Sequence, residues 1–128
     1  MMEKPSVNIL IVDDESSVRN SMMAFFEDYD FNIKAAENAE QALELAENKH
    51  FDAAVIDLRL PGMSGEDLIV KIHETQPGIR FIIHTGSLNY HISEKLKHIG
   101  LKHHHIFTKP LPDLEVLVSA INKLLQKG

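Results

Sequence analysis

The chain of 128 residues contains no cysteine, which excludes a disulfide scaffold, a thiolate zinc site and cysteine nucleophile chemistry. It also lacks any apolar run near the roughly 20 residues that span a bilayer as a helix. The leading residues, MMEKPS, lack the apolar stretch of a signal peptide. These absences predict a soluble, cytoplasmic protein. Positive charge is scarce: Lys and Arg number 13 against 19 Asp and Glu, a formal net charge of −6. A net acid is a poor generic ligand for a phosphate backbone or an anionic lipid, so neither direct nucleic-acid binding nor membrane binding is expected. Repeats, linkers and low-complexity tracts are missing too, apart from His103-His104-His105. What remains is an ordinary globular composition, 44% hydrophobic and 25% charged. The length suits a single domain over residues 1–128. A chain this long buries roughly two-thirds of its unfolded surface and needs no staples to fold.

Two textures alternate along it. Short apolar runs at Val7 to Val12, Phe31 to Ala35, Phe51 to Ile56, Arg80 to His84 and His105 to Phe107 predict strands. The first and third show little polar alternation, as strands covered on both faces do. Between them runs a helical period. Val18, Met22, Phe25, Phe26 and Tyr29 carry it, then Ala39, Ala42, Leu43 and Ala46, then Leu68, Ile69 and Ile72. Ile92, Leu96 and Ile99 carry the fourth, and Leu114, Leu117, Val118, Ile121 and Leu124 the fifth. Asn38 with Gln41 looks like a capping box, Ser64 offers a cap, Pro112 suits a first helical turn and Gly100 a stop. Strict alternation of strand and helix predicts an α/β fold: a (βα)5 doubly wound parallel sheet of five strands in a three-layer α/β/α sandwich.

In such folds the ligand crevice lies beyond the carboxyl ends of the strands. Asp13, Asp14 and Glu15 follow the first strand, and Asp57 ends the third. Thr85 and Gly86 follow the fourth, and Thr108, Lys109 and Pro110 the fifth. Clustered carboxylates repel one another unless a cation intervenes. Their oxygen-only donors favour a hard cation such as Mg²⁺, with Mn²⁺ as a substitute. Lys109 and Thr85 suit the oxygens of a phosphoryl group. A carboxylate can itself accept that group as an acyl phosphate. The set therefore fits metal-assisted phosphoryl transfer onto Asp57. Glu15 and Asp28 read as turn or cap residues, and His84 as a strand-end histidine.

At these residues the chain resembles the receiver domains of two-component response regulators, CheY-like modules of flavodoxin-like fold. The resemblance rests on ILIVDDE (residues 9–15), DLRLPGMSGEDL (57–68), Thr85-Gly86 and Thr108-Lys109-Pro110, and it runs from Val7 to Leu125. It implies that Asp57 is the phosphoacceptor. Asp14 would be a direct Mg²⁺ ligand, with Asp13 acting through water and the Arg59 backbone carbonyl as a further ligand. Lys109 would pair with the phosphoryl group. Thr85 would hydrogen-bond it and move toward it. Gly86 would leave it room, and a cis bond would precede Pro110. The implied donor is a sensor histidine kinase or a histidine phosphotransfer protein. The implied receiver of the signal is a downstream effector or an attached output domain, with a homodimer through the same surface as one expected assembly. That surface comprises the fourth helix, fifth strand and fifth helix. The module would catalyse its own phosphorylation and dephosphorylation and be no enzyme otherwise. By analogy Arg59 and Ser87 gate water access to the acyl phosphate.

Two departures stand out. The stretch from Gly100 to Lys109 is about two residues longer than usual, the excess falling on Lys102 to His105. The position three before the lysine, commonly Tyr or Phe, is Ile106. Either Phe107 substitutes through a shifted register or the coupling runs through Thr85 and the backbone. Other readings are a degenerate receiver that binds partners without phosphorylation, and a Mg²⁺-dependent aspartyl-nucleophile phosphatase. The phosphatase pattern asks for Asp-x-Asp after the first strand, whereas Asp13 and Asp14 are adjacent. A flavin or dinucleotide site asks for a phosphate cradle there, which the three acids would repel. The histidine run reads as a solvated loop entering the fifth strand, and with His91 and His98 it forms a candidate pH-sensitive patch.

Overall fold

A computed structural model describes residues 7–126, so the reading of Met1–Ser6 lies outside the described residues. The elements follow as β1 (Val7–Val12), α1 (Ser16–Glu27), β2 (Phe31–Ala36), α2 (Ala39–Asn48) and β3 (Ala53–Ile56). Then come α3 (Gly65–Thr75), β4 (Arg80–Thr85), α4 (Glu94–Ile99), β5 (Ile106–Thr108) and α5 (Glu115–Gln126). The strands form one sheet in the order β2-β1-β3-β4-β5, every neighbouring pair parallel. The strand order changes direction at β1 and β3, so a crevice opens over their carboxyl ends.

Alternation along each strand splits the core in two. Leu10, Val12, Phe81 and Ile83 pack with Ala42 of α2, Leu68, Ile69 and Ile72 of α3 and Leu96 of α4. Ile9, Ile11, Val55 and Ile82 pack on the other face with Met22 and Phe26 of α1 and Leu117, Val118 and Ile121 of α5. Burying each large side chain stabilises the fold by about 1.5–3 kcal/mol, and the helical periods exist to supply them.

Most start and stop signals act as their chemistry predicts. Ser64 Oγ accepts the Asp67 N–H at 3.2 Å, and Asn38 Oδ1 accepts that of Gln41 at 2.9 Å. The box at α2 forms by half only, because Gln41 Oε1 accepts from the Glu37 N–H. Gly100 ends α4 at φ 111°, a backbone region that penalises any Cβ.

Four boundaries differ from expectation. Phe51 is fully buried but precedes β3, since its N–H donates to Gln76 Oε1 (2.9 Å) instead of a ladder. Pro112 stays outside α5; Asp113 begins that helix by accepting the Glu115 N–H at 2.9 Å, a stronger start than proline's fixed φ. Ile92 is buried just ahead of α4, which is only six residues long. Finally, His103–His105 form a 3₁₀ turn, not a loose loop. His105 is buried, and its Nδ1 accepts the Lys102 N–H at 3.0 Å. The turn takes up the extra length and leaves β5 with three residues.

Candidate functional site

Each parallel strand delivers its last residues to the same edge. β1 ends into Asp13, β3 into Asp57 and β5 into Lys109. Backbone bonds fix these exits: Asp13 N–H to Ala36 O (3.1 Å), Asp57 N–H to Val12 O (3.0 Å) and Lys109 N–H to Thr85 O (2.7 Å). The Lys109-Pro110 bond is cis, as expected.

Lys109 is the hub. Its Nζ lies 2.8 Å from Asp13 Oδ2, 3.1 Å from Asp57 Oδ2 and 3.2 Å from Glu15 Oε1. Asp13 Oδ2 is buried and takes its charge partner from Lys109. Asp57 Oδ1 accepts the Arg59 N–H at 3.2 Å, which sets the plane of the carboxylate. Burial raises the Asp57 pKa above the ordinary carboxylate value, and the Arg59 amide and the Lys109 charge offset this only in part. Burial disfavours the Lys109 ammonium as well, but Asp13 and Asp57 outweigh it and hold its pKa above normal.

Asp14 is exposed, yet Asp13, Asp14 and Asp57 each offer an oxygen within 4.8 Å of the others. Among the described residues they form the one group of three acids or histidines so placed. This donor set fits a hard divalent cation: it is all oxygen, carries up to three negative charges within a few Å, and is open on the Asp14 side. The histidines of the 3₁₀ turn form no such cluster.

Thr85 is fully buried, and its Oγ1 accepts the Ser87 N–H at 3.2 Å. A Cβ placed on Gly86 would meet nothing within 4 Å, so open space adjoins Thr85. Ile106 packs on the α3–α4 face, while Phe107 pairs with His84 and packs on the α1–α5 face. Phe107 therefore lies on the opposite face of the sheet from position 106. His84 is buried with both ring nitrogens unpartnered, and burial, aided by Lys109, lowers its pKa to about 4.

Three residues of the site were not predicted as such. Glu15 makes no capping bond; its side chain joins Lys109 instead. Arg19 donates to the Asp13 carbonyl at 2.7 Å and so braces the acidic turn. Gly65 has no room for a side chain, because a Cβ would stand 2.2 Å from the Asp57 carbonyl oxygen. Its own N–H bonds Leu58 O at 2.9 Å, which seats α3 directly against the strand end that carries Asp57. The sequence signal for Gly65 was a second glycine in the 57–68 motif; for Glu15 it was only adjacency to the acidic pair.

Residues 9–122 match the family described as the response regulator receiver domain. A cyclic di-GMP phosphodiesterase of Thermotoga maritima is 33% identical over 120 residues, which cover 94% of this chain and 31% of that protein. Sporulation initiation phosphotransferase F of Bacillus subtilis is 29% identical over 91% of this chain and 92% of its own length. The crystal structure of a CheY-like response regulator receiver domain protein from Methanospirillum hungatei superposes with a TM-score of 0.76. It shares 27% identity, covering 97% of this chain and all of that one.

Proposed function

The chain belongs to the response regulator receiver domain family, and from that premise we propose that Asp57 accepts a phosphoryl group in a phosphorelay. The observation that carries this reading is one carboxylate, Asp57, buried at a strand end with Lys109 Nζ at 3.1 Å and two further acids within 4.8 Å. The donor is a phosphohistidine on a sensor kinase or phosphotransfer protein. An Asp57 oxygen bonds to phosphorus while the phosphorus–nitrogen bond breaks, and the imidazole leaves with that electron pair. Asp13 and Asp14, with the Arg59 carbonyl, would hold a divalent cation, taken as Mg²⁺. When bound, it would supply positive charge to the carboxylates and to the phosphoryl oxygens. Lys109 holds the incoming oxygens in place of the Asp57 contact it makes before transfer. The protein is a phosphoacceptor, and the phosphodiesterase activity named for its relative concerns a protein about three times as long. Among the described residues no helix is long and apolar enough to cross a membrane; the cytoplasm is the proposed location.

Thr85 carries the signal outward. A phosphoryl oxygen at Asp57 competes for the Thr85 hydroxyl, and Ser87 hangs on that hydroxyl. The β4–α4 loop then shifts and with it the α4–β5–α5 surface that partners read. With Ile106 in the aromatic's place, the coupling runs through Thr85 and the backbone. The test is incubation with acetyl phosphate, with and without Mg²⁺, followed by intact mass. Wild type gains one phosphoryl group only with the cation, and Asp57→Asn gains none. A Mg²⁺-dependent gain retained in Asp57→Asn would refute the assignment.

A further inference from the structure

His91 precedes α4 in the chain and His103 follows it, yet the two side chains meet in space. Their ring centroids are 6.3 Å apart and the ring planes stand at 84°. Both residues are exposed. The backbone beneath each is anchored. His91 stands between Tyr90, whose hydroxyl bonds Glu66, and the buried Ile92. His103 opens the 3₁₀ turn, just after the buried Leu101 and the exposed Lys102. In that turn the His105 N–H bonds Lys102 O at 2.9 Å, and the Ile106 N–H bonds the His103 carbonyl.

Two imidazoles at this separation suit one metal ion. A transition-metal dication binds an imidazole nitrogen at about 2.0–2.1 Å, and the ring centre lies about 1 Å further out. Two rings on one tetrahedral ion therefore have centroids roughly 5 Å apart, and a wider angle at the metal brings them to about 6 Å. Rotation of two exposed side chains closes the difference with no shift of backbone. The neighbouring rings are less suited. His105 is buried with its Nδ1 accepting the Lys102 N–H at 3.0 Å, and the His104 ring lies 4.2 Å from it. The donors also decide the class of ion. Imidazole nitrogen suits Zn²⁺, Cu²⁺ or Ni²⁺, whereas the oxygens of Asp13, Asp14 and Asp57 suit Mg²⁺.

We propose that His91 and His103 together bind one transition-metal dication of the Zn²⁺ class, with water completing its shell. The ion joins the segment that leads into α4 to the turn that leaves it. It thereby fastens at both ends a helix of only six residues, too short to hold itself. The site draws on no residue of the acidic crevice, so it stands or falls apart from phosphoryl transfer to Asp57.

The test titrates the full chain with Zn²⁺ in excess Mg²⁺, which competes for the acidic crevice. Calorimetry, histidine ring resonances and amide exchange are the readouts. One equivalent binds, the His91 and His103 rings shift together, and exchange across Glu94–Ile99 slows severalfold. His91→Ala and His103→Ala each weaken binding by roughly tenfold or more, since one ligand of two is lost. Both positions are exposed, so both variants fold. His104→Ala binds as the unmodified chain does. The proposal is overturned if either His91→Ala or His103→Ala binds as well as the unmodified chain, or if excess Mg²⁺ abolishes binding. It also fails if His104→Ala costs as much as His103→Ala, which would make the metal a guest of a diffuse histidine surface.

Discussion

The two loops flanking Asp57 are held in opposite ways. The β3–α3 loop is held by close packing: Gly65 lies against the Asp57 carbonyl, the Ser64 hydroxyl caps the helix, and α3 buries Leu68, Ile69 and Ile72. The β4–α4 loop and the start of α4 are held by a few polar side-chain ties. Tyr90 OH donates to Glu66, Lys95 pairs with Asp67 at 2.5 Å, and Leu96 is the one fully buried residue of a six-residue helix. Such a short helix has little stability of its own. Both ties end on α3, so the fixed loop serves as the anchor for the adjustable one. The lesson is that one loop beside a strand end can be seated through sterics while its neighbour is held by a few replaceable contacts, the arrangement the proposed switch requires.

That contrast predicts a ladder of effects. Gly65→Ala forces a Cβ into the Asp57 backbone. It should cost about 3 kcal/mol in urea unfolding and suppress the phosphoryl mass gain. A stable, fully phosphorylatable Gly65→Ala protein would end the claim that this loop is sterically seated.

His84, which leads into the other loop, comes next. Its pKa falls from 6.5 to about 4 on folding. The unfolded chain then takes the proton first, so stability is lost as pH falls from about 6.5 toward 4. The span corresponds to about 3 kcal/mol at its lower limit. His84→Leu should remove that slope, and the difference between the two pH–stability curves isolates it from the carboxylates.

Smaller changes follow in the adjustable loop. Tyr90→Phe deletes the bond to Glu66. It should cost about 1 kcal/mol and speed amide exchange over residues 88–96 while leaving α3 unchanged. A loss matching that of Gly65→Ala would erase the distinction between the loops. Lys95→Ala should be the weakest, moving Tm by about 1 °C or less, because both partners are half exposed. A larger shift would make this ion pair a principal tie.

What the sequence disclosed was local or periodic. Alternating textures predicted the (βα)5 fold, and the strand-end rule brought Asp13, Asp14, Asp57 and Lys109 to one edge. Ser64 and Gly100 were legible because a cap acts on its own turn. Glu15 was not, because its partner is 94 residues away. Gly65 was undervalued because the clash it avoids exists only once β3 and α3 are assembled. His105 looked like a strand or a loop because a hydrogen bond to a backbone amide three residues back leaves no trace in hydropathy.

The scarcity of aromatic groups has a practical side. The chain has no tryptophan and two tyrosines. Tyr29 follows α1 and stacks near Phe31, while Tyr90 sits in the adjustable loop with its hydroxyl on Glu66. Tyrosine emission, excited where phenylalanine hardly absorbs, therefore comes from two places only. With Tyr29 replaced by Phe, the sole emitter would be the residue that ties the loop to α3. The protein thus carries its own optical label at the point where the proposed switch must move.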